Sequence, residues 1–247
     1  MSLSMASLRP AYRALVFGST GGIGSALVAA LAADPCCGRI FAAARNPASS
    51  DAKVESLQFS LEDEESIAGA IACAAADEPL DLVVIATGLL HDAAIQPEKS
   101  WRAIDAGALE RAFRINAIGP AMIAKHALPR LPRDSKSVFA ALSARVGSIG
   151  DNRLGGWHAY RASKAALNML VRTWSIELAV RHPLAVCLAL HPGTVDTGLS
   201  KPFQAGLKPG QLFSPRQSAE ALLRVMDQSD HTASGKFLAW DGSEIPF

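Results

Sequence analysis

Arg13-Ala14-Leu15-Val16-Phe17, followed directly by Gly18-Ser19-Thr20-Gly21-Gly22-Ile23-Gly24, is the stretch whose reading decides the fold. The first five residues form a short apolar run stopped by glycines, the pattern of a buried strand. The alanine- and leucine-rich run that follows, Gly22–Ala33, reads as a helix. A strand that ends in a tight glycine turn lets backbone N–H groups approach a phosphate, and the helix behind it adds the positive end of its dipole. Gly18 is expected to make the turn, Gly22 to permit close approach, and Gly24 to let the helix lie against the strand. Ser19, Thr20 and Ile23 complete the candidate phosphate loop.

The same alternation runs outward to both ends of the chain. Arg39–Ala43 is a second apolar run and Val54–Phe59 a weaker, alternating strand. Glu62–Ala76 carries acids at its start, as the N-terminal end of a helix favours. Asp81–Ala86 is strongly β-branched and reads as a strand. Leu109–Leu128 has apolar residues at helical spacing and is stopped by Pro129 and Pro132. Then come a strand at Ser137–Leu142, a helix at Trp157–Arg181 ended by Pro183, and a strand at Leu184–Leu190. Pro215–Gln228 is a helix and Lys236–Trp240 a last short strand. Strands alternating with helices, most strands apolar in both phases, predict a parallel sheet covered by helices on both faces. With no Pro/Gly/Ser-rich linker and no repeat, residues 1–247 are expected to form one domain. Met1–Pro10 is set aside as flexible or as an added remnant.

Bulk properties narrow the function. The chain has 247 residues, enough to bury a large core. Its net charge is +1, with no long like-charge block, which counts against nucleic-acid and acidic-membrane partners. No apolar run approaches the ~20 residues that span a bilayer, and the start lacks the apolar core of a secretory signal. Cysteines at 36, 37, 73 and 187 form no CxxC pair and suit neither a disulfide framework nor a zinc site. Reduced thiols in a cytoplasmic protein without a metal are expected.

Two further constellations carry chemistry. After the second strand the chain reads Ala42-Ala43-Ala44-Arg45-Asn46. No carboxylate is present there to bind a ribose 2′-OH, whereas the Arg45 guanidinium suits a 2′-phosphate, so NADP is favoured over NAD. In the long helix of the second half, Tyr160 and Lys164 are four residues apart and share one face. A free tyrosine, with pKa ~10, is a poor base near neutrality. Lowering it to about 7 needs ~4 kcal/mol, which one cation ~4 Å away supplies at an effective dielectric of ~20. Ser143 ends the strand Ser137–Leu142, at a carboxyl end where such sheets bind ligands. Its hydroxyl could orient a substrate oxygen against Tyr160.

With these residues in order, the chain resembles the short-chain dehydrogenase/reductase family in its single-domain form, over roughly residues 12–242. The resemblance rests on Gly18, Gly22 and Gly24, Asn116, Ser143, Tyr160-x-x-x-Lys164 and Pro192-Gly193. The stretches Gly88–Asp92, Leu142–Gly147 and His191–Thr197 look most like its C-factor-like branch. The resemblance implies a three-layer α/β/α Rossmann fold with a mostly parallel seven-stranded sheet in order 3-2-1-4-5-6-7. It implies that Tyr160 is the general acid in reduction and that Lys164 lowers its pKa and holds the nicotinamide ribose. Ser143 would position the carbonyl, and Asn116 would hold a water between Lys164 and solvent. Pro192, Gly193, Thr194 and Val195 would lie along the nicotinamide, with Thr197 near the phosphates or carboxamide. Three positions depart from the family pattern. Ala86-Thr87-Gly88 replaces the usual Asn-Asn-Ala-Gly, Ser60 replaces an aspartate near the adenine, leaving that contact to Ser60 or the backbone of Leu61, and Phe17 replaces a threonine.

The expected function is therefore hydride transfer between NADP(H) and a small carbonyl or alcohol substrate, in a homodimer or homotetramer. A cofactor-binding signalling or scaffold protein with little turnover is the competing expectation. His126, His158 and His191 read as structural, and His91 and His158 as possible cleft residues. Gly198–Phe213 reads as a mobile lid. HExxH, GxSxG and P-loop motifs do not occur, and Ser50-x-x-Lys53 is read as a chance match.

Overall fold

The computed structural model describes residues 4–48, 52–93 and 95–247; Ser50 of the Ser50-x-x-Lys53 pattern and residues 1–3 lie outside them. The first strand, β1 (Tyr12–Phe17), is buried along its whole length and leads through the glycine turn into α1 (Gly22–Ala33). Then follow β2 (Cys37–Ala44), β3 (Val54–Gln58), α2 (Glu64–Ala74) and β4 (Leu82–Ile85). Asp63 caps α2, its side chain accepting from the amides of Glu65 and Ser66.

The helix expected at 109–128 starts earlier, because Asp105 accepts from Ala108 N at 2.8 Å and begins the first turn at Ala106. It is also not one α-helix. α3 (Ala106–Phe113) passes through a π turn at Arg114–Ile118 into α4 (Gly119–Ala127). A π turn inserts one extra residue and re-aims the side chains around it; here the re-aimed residue is Asn116. β5 (Ser137–Leu142), α5 (His158–Arg181) and β6 (Ala185–His191) follow. Beyond β6 the chain forms a separate two-stranded parallel ribbon, β7 (Thr194–Val195) with β8 (Leu212–Phe213). The chain then enters α6 (Pro215–Gln228), opened by a capping box between Ser214 and Gln217, and ends at β9 (Phe237–Ala239).

The main sheet has seven strands in the order β3-β2-β1-β4-β5-β6-β9, all paired in parallel. Its seventh strand is β9 only because the small ribbon intervenes, so the expected order holds. One apolar core packs α2, α4 and α5 on one face, through residues such as Ile67, Ile123 and Leu167. A second packs α1 and α6 on the other, through Leu27, Leu31 and Leu222. Met5 and Leu8 belong to this second core, and Met5 N donates to Asp34 Oδ2 at 2.8 Å. The segment set aside as flexible is thus, from residue 4 on, part of the fold.

Candidate active site

The crossover at β1 places the glycine turn at the carboxyl edge of the sheet. Gly18 adopts a left-handed φ of +81°, and a Cβ there would stand 3.1 Å from the Ala86 backbone and from Thr87. A Cβ on Gly24 would meet Gly18 O at 2.1 Å, so only glycine lets α1 start this close to the strand. The amides of Gly18 and Ser19 both donate to Ala43 O, at 2.9 and 3.1 Å. They are spent on holding the turn against β2. The donors left for an anion are those of the first turn of α1, at Gly22, Ile23 and Gly24, which helix geometry leaves without intrahelical acceptors. Thr197 lies over this turn: a Cβ on Gly22 would be 2.6 Å from its methyl group.

A cleft of about 560 Å³ opens beside the turn. Gly18, Thr20, Arg45, Ser60, Leu61, Ala86, Thr87 and Gly88 line it, together with His91. Arg45 is exposed at its edge, just past the end of β2. The Thr87 hydroxyl is buried with no hydrogen-bond partner among the described residues. An orphaned hydroxyl, a glycine-lined wall and a helix N-terminus are what a dinucleotide's phosphates and riboses would satisfy, so these residues fit such a cofactor.

Behind the Gly88 wall of the cleft, α5 brings the face that carries Tyr160 and Lys164 to the ends of β4 and β5. Tyr160 and Lys164 are both buried. Lys164 Nζ donates to Leu142 O at 2.8 Å and lies 5.9 Å from the centre of the Tyr160 ring. A Cβ on Gly88 would stand 3.6 Å from that ammonium and 3.7 Å from Asn116 Oδ1. Burial pushes the Tyr160 phenol above its usual range and lowers Lys164 to about 7. In the protein alone, desolvation outweighs the attraction assumed from the sequence, because both charged forms lose water and among the described residues no carboxylate pairs with the lysine.

Asn116 is fully buried and joins three segments. Its Nδ2 donates to Leu89 O at 2.8 Å and to Ser163 Oγ at 3.0 Å, while its Oδ1 accepts from Leu89 N at 2.8 Å. Ser143 Oγ donates to Asn168 Oδ1 at 2.6 Å. Asn168 is a site residue that the sequence reading passed over, although its signal was there: 160, 164 and 168 repeat at four-residue spacing along one helix face.

Pro192, Gly193, Thr194 and Val195 continue from β6 over the same edge. Ser218 Oγ donates to Pro192 O at 2.8 Å, and Gly193 has φ +79° with no room for a Cβ beside Phe213. In the segment read as a lid, Phe203 packs edge-on against Trp157 and His91, at 5.0 and 5.5 Å between ring centres. Trp157 in turn meets the Tyr160 ring at 6.4 Å. His91 Nε2 lies 3.2 and 3.1 Å from the carbonyls of Gly198 and Leu199, tying the cleft to that segment. His126 pairs with Glu64 away from the site, and half-buried His191 is lowered to about 4, chiefly by desolvation. Among the described residues no cluster of His, Cys, Asp and Glu could hold a metal, and the four cysteines are free thiols.

Parallel sheet, glycine turn and cleft together define a dinucleotide-binding architecture, and the family match makes the protein an NAD(P)-dependent oxidoreductase. The short chain dehydrogenase family model matches residues 12–208, and the chain belongs to that family. It is 38% identical over 144 residues to the C-signal protein of Myxococcus xanthus, spanning 58% of this chain and 81% of that one. It is 27% identical to an uncharacterized oxidoreductase of Schizosaccharomyces pombe, over 94% of this chain and 96% of that one. Among solved structures, the NADPH-bound carbonyl reductase from chicken fatty liver superposes with a TM-score of 0.84 at 26% identity, covering 97% and 95% of the two chains. The carbonyl reductase Sniffer of D. melanogaster gives the same score at 22% identity, covering 97% of this chain and 100% of that one, a likeness of fold. No helix among the described residues is long and apolar enough to cross a membrane.

Proposed function

We propose that this protein is an NADP(H)-dependent carbonyl reductase in which Tyr160 gives its proton to the substrate oxygen. The observation that carries the reading is the buried Lys164 ammonium beside the Tyr160 ring, held on Leu142 O at the end of β5, one residue before Ser143, and close to Gly88 in the cleft wall. When bound, the nicotinamide supplies or accepts the hydride. The free amides of Gly22, Ile23 and Gly24 would take the phosphates, with Gly18, Ser19, Thr20 and Thr197 shaping the turn around them; Ser60, Leu61, Ala86, Thr87 and Gly88 would flank the adenosine and ribose. Pro192 to Val195 line the nicotinamide end. Arg45 takes the 2′-phosphate, and the likeness to an NADPH-bound reductase supports that choice.

The chain's own groups then run the proton chemistry. Burial keeps the Tyr160 phenol neutral, so its proton stays in place until negative charge develops on the carbonyl oxygen. Lys164, held by Leu142 O, stabilises the phenolate that remains. Asn116 braces the Leu89 backbone beside Lys164, and Asn168 fixes the Ser143 hydroxyl against the substrate oxygen. Trp157 and Phe203 keep water from the reacting atoms.

NADPH binding and NADPH oxidation across a panel of aldehydes and ketones test this together. Wild type should reduce members of the panel, and Tyr160→Phe should bind NADPH as tightly yet lose at least about 100-fold in turnover, the lower end of what one acid–base group contributes. Binding without reduction of any carbonyl would instead favour a cofactor-binding signalling protein, the reading to which the 38% identity with the C-signal protein points. We further place the protein in the cytoplasm as a homodimer or homotetramer, its exposed Met169, Ile176 and Val180 on α5 serving as the contact; sedimentation reads the assembly.

A further inference from the structure

Glu98 stands outside every motif in the sequence, yet it is 6% exposed and among the described residues no cationic side chain pairs with it. Its surroundings say what it does. Both carboxylate oxygens lie 3.3 Å from Ala159 N, in the first turn of α5, and its backbone carbonyl accepts from Trp157 N at 2.6 Å. A helix leaves its first amides without acceptors, and the residue before the helix ordinarily caps them with a side-chain oxygen. Trp157 occupies that position and has no oxygen to offer. Glu98 supplies the cap from a remote segment, and the positive end of the helix accommodates its charge.

The turn it holds is strained. Gly155, Gly156 and Trp157 have successive left-handed φ values of +63°, +66° and +53°. For tryptophan that conformation is unfavourable and persists only where the surroundings impose it. Glu98 O passes so near that a Cβ on Gly156 would stand 3.3 Å from it, and Arg161 Nε grips Gly156 O from the other side at 2.9 Å. Tyr160 is the next residue after the capped amide.

We infer that Glu98 is a positioning residue for the Tyr160 reaction, clamping the first turn of α5 so that the phenol meets the carbonyl oxygen in register. This rests on the proposed reductase activity. A small misplacement of a reacting group is enough to cost a large factor in rate.

The experiment compares Glu98→Ala, Glu98→Asp and Glu98→Gln, with 4-nitrobenzaldehyde as the carbonyl probe. Glu98→Ala should lower kcat at least about tenfold, with the Kd for NADPH within about twofold of wild type. Glu98→Asp keeps the charge and the backbone carbonyl but falls short of Ala159 N, so its kcat should stay low. Glu98→Gln still presents an oxygen and should return to within about threefold of wild type. Deuterium exchange of the peptide 155–162 gives a second readout that needs no turnover: it should speed up in the Ala and Asp variants and recover in Gln. If all three variants keep wild-type kcat and exchange, if Gln stays as low as Ala, or if NADPH affinity falls in step with kcat, the positioning role is overturned. A wild type that reduces no carbonyl strikes the reductase reading instead. Unchanged exchange in Glu98→Ala would then overturn the clamp separately.

Discussion

Lys164 Nζ donates to the carbonyl oxygen of Leu142 across 2.8 Å, so the cation of the site is anchored to the end of β5, and among the described residues it forms no ion pair with a carboxylate. Burial lowers its pKa from 10.5 to about 7. Below about pH 7 both folded and unfolded chains carry the proton, and the folded state bears the whole cost of a buried ammonium. Above it the folded chain sheds the proton while the unfolded chain keeps it until 10.5, so this group makes stability rise with pH. Between roughly pH 7 and 8.5 the gain is about 2 kcal/mol at 1.36 per unit. The window stops there because Cys37, Cys187 and Tyr160 are shifted upward by burial and reverse the trend once their unfolded forms ionise. Urea unfolding of the protein without cofactor should show this slope. Lys164→Met should flatten it; an equal slope in both would mean that Lys164 is not the buried cation responsible.

Asn116 offers a test of the π turn. Its amide satisfies both backbone groups of Leu89. Asn116→Leu leaves that N–H and C=O without their partners in a half-buried place, at about 1 kcal/mol each, the low end of the cost of an unsatisfied group. The urea midpoint should fall accordingly. Asn116→Asp should fall at least as far, since a carboxylate cannot donate to Leu89 O and adds a buried charge. A midpoint within error of wild type for both would show that the turn is held by something other than this amide.

How much of this could be read beforehand depends on how local the cause is. The glycine turn, the face shared by Tyr160 and Lys164, and the strand–helix alternation arise from neighbours a few residues apart, and they stand where expected. Asn116 was picked out by family resemblance, but the π turn that aims it depends on Leu89, 27 residues away. Glu98 answers to an amide 61 residues on, and no periodicity reports such a pairing. Met5 looked dispensable because a short terminal run has no pattern of its own; its burial is set by Asp34 and the α1–α6 layer. Gly18 makes the turn as its position in the loop implies, but that its amide and that of Ser19 both donate to Ala43 O depends on β2, 25 residues on, and no local pattern reports it.

Arg45 is exposed at the cleft edge and contributes through charge and a guanidinium fork. Arg45→Ala should raise the Kd for NADPH about tenfold, near 1.4 kcal/mol, and leave NADH within about twofold. Because the contact is at the surface, the NADPH penalty should shrink as salt is raised. Isothermal titration with each nucleotide at two salt concentrations reads both effects, and equal losses for the two nucleotides would remove the 2′-phosphate from Arg45.

Two glycine substitutions of the same kind should have opposite consequences. At Gly24 an added methyl would sit 2.1 Å from Gly18 O, a backbone atom at the base of the phosphate turn. Nothing flexible can yield there, so α1 must move off β1 and take the Gly22–Gly24 amides with it. Gly24→Ala should lose NADPH binding and several kcal/mol of stability, the scale of severe overpacking. Gly69 lies in the middle of α2 with nothing within 4 Å of the same methyl. Gly69→Ala should stabilise by about 0.4–1 kcal/mol, because alanine costs less conformational entropy to fix in a helix. Thermal unfolding of the pair with and without NADPH checks the contrast. If Gly24→Ala binds NADPH normally, the tight approach of α1 to β1 is not what builds the phosphate site.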